Sequence, residues 1–165
     1  MFTINSEVYS AANDLVYAKN ISVNKTNSTI STLQLEHAHA MLTVKYTAGS
    51  TYPGQSSFSA LSVNGLTGTS TIDITDGSVT AGSAAGAIDL SGSLQSAAIP
   101  AAGISTLAVP EASSSVTISC TIDGKSYGPL NVTDITELVQ GKNYVVTLTT
   151  SGQALVIENV EVADW

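Results

Sequence analysis

Arginine is absent from the 165 residues, and five lysines stand against thirteen aspartates and glutamates, for a net charge of −8. Phosphate backbones are bound by clustered basic side chains, so this balance excludes a nucleic-acid partner. It also removes the bidentate guanidinium clamp used on phosphate and carboxylate substrates. A single cysteine, Cys120, allows no intrachain disulfide and no multi-cysteine zinc site. Charged residues are only 11% of the chain, against roughly a quarter in an average globular protein. No apolar run approaches the roughly 20 residues of a membrane-spanning helix.

What is present is serine, threonine and glycine around a 43% hydrophobic content, too apolar for disorder. The length suffices to bury a core without metals or disulfides, and residues 1–165 are expected to form one domain. The opening Met1-Phe2-Thr3-Ile4-Asn5 has no basic region followed by an apolar stretch. A surface built from Ser and Thr is that of an exported β-protein, so the targeting segment is expected to lie outside this stretch.

Period-two alternation dominates. Leu15-Val16-Tyr17 opens a strand expected to run through Ile21 and Val23. Leu33, Leu35, His37 and His39 share one parity, and Leu42, Val44 and Tyr46 the other. A parity switch turns side chains to the wrong face, so a bulge or single helical turn is expected around Ala38–Met41. Phe58, Leu61 and Val63 precede the turn signal Asn64-Gly65, and Ile72 and Ile74 precede Asp76-Gly77. Residues 77–115 are rich in Gly, Ser and Ala and read as the loop-rich region, with short strands at Ile88–Leu90 and Leu107–Val109. Val116, Ile118, Cys120 and Ile122 alternate cleanly up to the hairpin signal Asp123-Gly124. Asp134-Ile-Thr-Glu137 with Gly141 reads as one or two helical turns over Asp134–Gln140. Tyr144, Val146 and Leu148, then Leu155 to Trp165, form the closing strands. Seven to nine short strands with frequent turns give an all-β fold, an antiparallel two-sheet β-sandwich.

Chemical constellations are few. His37-x-His39 is the one metal-like pair: alternate strand residues share a face, and Glu158 or Glu161 would have to supply a third ligand. The plainer reading has His37 packed and hydrogen-bonded at a bulge and His39 partly exposed, and two ligands do not make a site. Asp73 and Asp76 offer oxygens but not calcium-loop spacing, so an acidic turn is expected. Cys120 shares its parity with Val116, Ile118 and Ile122 and reads as a buried, inert thiol. No G-x-S-x-G elbow frames a nucleophile, and no catalytic or cofactor-binding residue is assigned. The tyrosines and Trp165 mostly sit in strand patterns; Tyr52, beside Pro53-Gly54, reads as a loop-tip aromatic.

One ordered set of segments carries a family likeness. Asn13-Asp-Leu-Val-Tyr-Ala18 is followed by Leu33-x-Leu35-Glu-His37-Ala-His-Ala40-x-Leu42-x-Val44. Ile88-Asp-Leu90, Leu107-x-Val109-Pro110, Asp123-Gly124-Lys-Ser-Tyr127, Leu138-x-x-Gly141-Lys-x-Tyr144-x-x-x-Leu148 and Val160-x-Val162-x-x-Trp165 come after it. This order resembles the signature of the fimbrillin (Mfa-like) family of Bacteroidales, with Leu35 where the family has an aromatic. The resemblance implies the C-terminal domain of a two-domain protein, with transthyretin-like Greek-key topology. It implies a structural or adhesive module of a cell-surface, outer-membrane-associated fimbria, without catalysis or cofactor. The implied partners are other fimbrial subunits joined by β-strand addition, with surface glycans or proteins as adhesion ligands. Stalk subunits of that family are matured by arginine-specific proteolysis, for which this arginine-free chain offers no site. The apolar, alternating terminal segments Ile4–Val23 and Leu155–Trp165 are the expected donor or acceptor edges. A surface carbohydrate-binding module is the alternative reading.

Overall fold

A computed structural model describes residues 1–19, 21, 33–112 and 114–165. In chain order its strands are β1 (Phe2–Asn5), β2 (Glu7–Val8), β3 (Val16–Tyr17), β4 (Glu36–His37), β5 (Ala40–Thr47), β6 (Phe58–Asn64) and β7 (Thr67–Ile72). They continue as β8 (Val79–Ala84), β9 (Ile88–Asp89), β10 (Ile104–Ala108), β11 (Thr117–Ile122), β12 (Lys125–Asn131), β13 (Lys142–Ser151) and β14 (Ala154–Asp164). A five-stranded sheet has the order β14-β13-β5-β10-β2, and a four-stranded sheet the order β12-β11-β6-β9. Smaller sheets, β1-β7-β8 and β3-β4, flank them.

The alternating segments become the strands that build the core. In β11, Ile118, Cys120 and Ile122 are buried while Thr117, Ser119 and Thr121 are half-buried; in β13, Tyr144, Val146, Leu148 and Thr150 point inward. Leu42, Val44, Tyr144, Val146 and Leu148 from the five-stranded sheet pack against Phe58, Leu61, Val63, Ile118 and Ile122 from the four-stranded one. This face-to-face burial is the sandwich. A second cluster of Ile4, Tyr17, Ala38, Ile72 and Val109 fills the space under the β1-β7-β8 sheet.

The parity switch falls where expected. A bend at Ala38–His39 separates β4 from β5, so that Ala38 joins the second cluster while Ala40, Leu42 and Val44 enter the main core. Asp123 and Gly124 both take positive φ, 51° and 77°, the mirror-image turn that matches strand twist in a two-residue hairpin.

The expected all-β two-sheet sandwich is thus the architecture, with three differences in detail. The strands number fourteen among the described residues rather than seven to nine, because two-residue pieces such as β2, β3, β4 and β9 are too short to show a period. One pairing, β5 with β13, is parallel, from Asn143↔Met41 to Thr149↔Thr47. These strands are far apart in sequence, so no hairpin forces them antiparallel.

The third difference is the segment Asp134–Gln140, which is not helical. Leu138 forms a β-bridge with Glu111, exchanging bonds of 2.9 and 2.8 Å, and Ser114 N–H donates to the Thr136 carbonyl at 2.9 Å. Ile135 and Leu138 are both buried. So short a segment cannot offset helix nucleation, and its backbone finds partners across the chain instead. The one helix among the described residues is a 3-10 turn at Ser91–Ser93. The Gly/Ser/Ala-rich stretch holds β8, β9 and β10. The strand expected through Ile21 and Val23 ends at Tyr17; Val23 lies outside the described residues.

Candidate functional site: sheet edges and the surface between them

The two histidines do not share an environment. The His37 ring stacks on Trp165, centroids 3.9 Å apart and planes at 13°, and its Nδ1 lies 2.9 and 3.1 Å from the two carboxylate oxygens of Asp14. His39, expected to be partly exposed, is instead buried at 2% exposure because the bend turns it inward, and neither ring nitrogen has a hydrogen-bond partner among the described residues. Glu158 and Glu161 are exposed on β14. Among the described residues no three His, Cys, Asp or Glu side chains come together as a metal group.

Burial holds the His39 imidazole below its usual 6.5, assisted by His37 and opposed by Asp14, Glu7 and the Asn5 carbonyl. A histidine with a depressed folded-state value binds fewer protons folded than unfolded. Its contribution is therefore complete above pH 6.5 and is lost as pH falls through the range below it. The urea midpoint of the protein is expected to drop between about pH 7.5 and 5, and His39→Leu is expected to flatten that dependence. An unchanged slope in the variant would contradict the assignment.

Other acidic and thiol candidates are satisfied locally. Asp73 accepts bonds from the Thr75 N–H (2.9 Å) and hydroxyl (2.6 Å), and Asp76 accepts one from the Ser78 N–H (2.9 Å). These bonds hold both carboxyls below the usual range, the behaviour of a self-capped turn. Cys120 is buried, which pushes its thiol up to about 11 and leaves it unreactive.

The tyrosines divide by depth. Tyr17 and Tyr144 are buried, and Tyr46 packs edge-on against Phe58 at 4.9 Å. Tyr52, expected as a loop-tip aromatic, is half-buried against the main core, and the fold brings the half-buried Tyr127 to it. Both line a cleft of about 280 Å³ with Asp123, Lys125 and Gln153. Asp123 orders this loop by accepting bonds from the Tyr52 hydroxyl (2.6 Å) and the N–H groups of Ser56 (3.1 Å) and Ser57 (3.0 Å). Lys125 Nζ sits 4.9 Å from the Tyr127 ring centroid. Seventy-five residues separate the two tyrosines, so their meeting is invisible to local pattern.

Both terminal segments lie at sheet edges. Among the described residues β14 pairs only with β13 and ends the five-stranded sheet; β2 ends it on the other side, and β1 ends the β1-β7-β8 sheet. At eleven residues β14 is the longest strand, with Glu158, Glu161 and Asp164 exposed along it. The edge of the facing sheet is β12. Between β12 and β14 runs a groove of about 320 Å³ whose apolar lining includes Leu130, Val132, Leu155, Ile157 and Val160. An edge strand presents unpaired N–H and C=O groups, and here an apolar groove adjoins them.

Among curated proteins none matches the chain in sequence. In three dimensions it resembles the crystal structure of a candidate cell adhesion protein from Bacteroides uniformis, with a TM-score of 0.77 and 18% identity over 99% of this chain and 65% of that one. A candidate cell adhesion protein from Bacteroides ovatus gives a TM-score of 0.63 and 16% identity over 96% and 63%. The tip fimbrial protein Mfa3 from Porphyromonas gingivalis gives 0.49 and 10% over 79% and 52%. The chain spans less than two thirds of the length of each of these structures. The family model described as Fimbrillin-like matches residues 2–165, and the chain belongs to that family.

Proposed function

We propose that the chain is a structural and adhesive module of a bacterial surface fimbria, without catalytic activity, and that it joins neighbouring subunits by β-strand addition along β14. The observation that carries this reading is the long β14 edge beside the apolar groove it shares with β12. A strand added there pairs with the free backbone groups of β14, while its alternate apolar side chains enter the groove. Family membership supports the fimbrial setting and, with it, a place at the cell surface in association with the outer membrane. Among the described residues no helix is long and apolar enough to cross a membrane. The chain corresponds in this reading to the C-terminal domain of a two-domain protein, in keeping with the share of the similar structures that it spans.

The test is the assembly state of the full-length parent protein. Polymers, seen as ladders that survive dodecyl sulfate without boiling, are the expected result; a parent that stays monomeric under all conditions would contradict it. A second reading, carbohydrate binding, is favoured by the cleft where the half-buried Tyr52 and Tyr127 meet polar side chains at the surface. Stacking of a sugar face on Tyr127 beside the Asp123, Lys125 and Gln153 side chains is its chemistry. Saturable, sugar-competed binding on a glycan array would favour this reading.

A further inference from the structure

One hydrogen bond fixes which backbone groups of β14 are free. The Trp165 N–H donates to the Gly141 carbonyl at 2.9 Å, and from there the ladder runs unbroken from Asp164↔Lys142 back to Asn159↔Thr147. Backbone groups alternate in direction along a strand. Ala163, Glu161 and Asn159 therefore turn theirs toward β13, while Val160, Val162 and Asp164 turn theirs away. Among the described residues no strand pairs on that side. Before Asn159 the register shifts, and Glu158 is left without a partner on β13. Such a bulge bends its strand and interrupts an edge, so the continuous free edge is the stretch Asn159–Asp164.

The side chains of this stretch divide by face. Val160 lies opposite Val146, and Val162 opposite Tyr144, two residues buried in the core. Val160 lines the groove beside β12, and Val162, 55% exposed, continues the same apolar line past it. On the other face Glu161 is exposed and accepts a 2.8 Å bond from the Asn159 side-chain amide. Glu158 at the bulge and Asp134 in the groove lining are exposed as well. Among the described residues only Asp164 of these four carboxylates has a cation, Lys142, and no lysine lines the groove.

We propose that β14 accepts from a neighbouring subunit an extended segment in which two apolar residues flank a lysine or arginine. The apolar pair lies beside Val160 and Val162, and the basic residue beside Glu161. This selection presupposes the strand addition proposed above and adds what the added strand must carry. Residues side by side on paired strands share a face, so partners of Val160 and Val162 face the groove and the partner of Glu161 faces solvent. In an antiparallel addition Glu161 occupies a non-hydrogen-bonded pair, where side chains approach most closely and opposite charges stabilise. A second copy of β14 is a poor occupant. It would bring Glu158, Glu161 and Asp164 to an edge that already carries them, on a chain with a net charge of −8, and like charges across strands destabilise.

The probes are two capped pentapeptides, acetyl-Ser-Val-Lys-Val-Ser-amide and the same sequence with glutamate in place of lysine, titrated into the isotope-labelled chain at low salt. The lysine peptide is expected to give saturable shifts and slowed exchange at the amides of Val160, Val162 and Asp164. It is expected to bind about three- to tenfold tighter than the glutamate peptide, a gap that narrows as salt is raised. Glu161→Lys, a change at an exposed position, is expected to reverse the preference without altering the fold. Equal binding of the two peptides at β14, or a preference that Glu161→Lys leaves in place, would overturn the proposal while leaving strand addition standing. Binding of neither peptide at those amides up to the solubility limit would overturn it too, and strand addition itself is then judged by the assembly state of the parent protein.

Discussion

Replacing Leu42 with alanine is expected to lower the free energy of unfolding by about 2–5 kcal/mol. Leu42 is fully buried in β5, the central strand of the five-stranded sheet, opposite Thr106 of β10 and Tyr144 of β13. Strands on both sides and the facing sheet keep the site from collapsing around the missing atoms, so the cavity persists and adds to the lost transfer energy. Domains of this size are stable by only about 5–15 kcal/mol, which makes the loss a large share of the total. Leu35→Ala is the internal control: Leu35 is 65% exposed, and its replacement is expected to change stability by no more than about 0.5 kcal/mol. Urea denaturation reads both. Equal losses in the two variants would contradict the placement of the core.

Val160→Lys is expected to suppress assembly of the full-length parent by about tenfold or more while leaving the sandwich folded. Val160 is half-buried, lies opposite Val146 in the β13–β14 ladder and lines the groove. An inward-pointing lysine on an edge strand is a device natural sheets use against strand addition: an incoming apolar side chain would have to desolvate the ammonium. In the isolated domain the long stem lets the charge reach water, so the folding cost is small, on the order of 1 kcal/mol. Ala163→Lys, at an exposed position of the same strand, separates blockage of the groove from the mere addition of positive charge to an acidic edge. Sedimentation velocity on the parent protein and its variants reads the effect; unchanged polymers from Val160→Lys would place assembly elsewhere.

Much of the sandwich was legible because its strands are half-buried and alternate. Ile118-Ser-Cys120-Thr-Ile122 and Tyr144-Val-Val146-Thr-Leu148 each show one face to the core, and both became strands. The parity break between His39 and Leu42 correctly marked a bend. Asp134–Gln140 misled because capping signals are local, whereas Ile135 and Leu138 are claimed by the core and the Leu138 backbone by Glu111. β8, with sequence Val-Thr-Ala-Gly-Ser-Ala, forms because it pairs with β7; small residues leave no hydrophobic alternation to read. The terminal segments were recognisable as edge candidates from their apolar alternation. The meeting of Tyr52 and Tyr127 in one cleft depends on a contact across 75 residues, which no local spacing encodes.

The most direct measurement of the central claim is amide hydrogen exchange on the full-length parent, compared between its monomeric and assembled forms. Strand addition at β14 predicts that the amides within Ala154–Asp164 not already bonded to β13 gain strong protection on assembly, together with reduced exposure of Val160 and Leu130. Polymers in which those amides exchange as fast as in the monomer, with protection appearing at other edges, would contradict it.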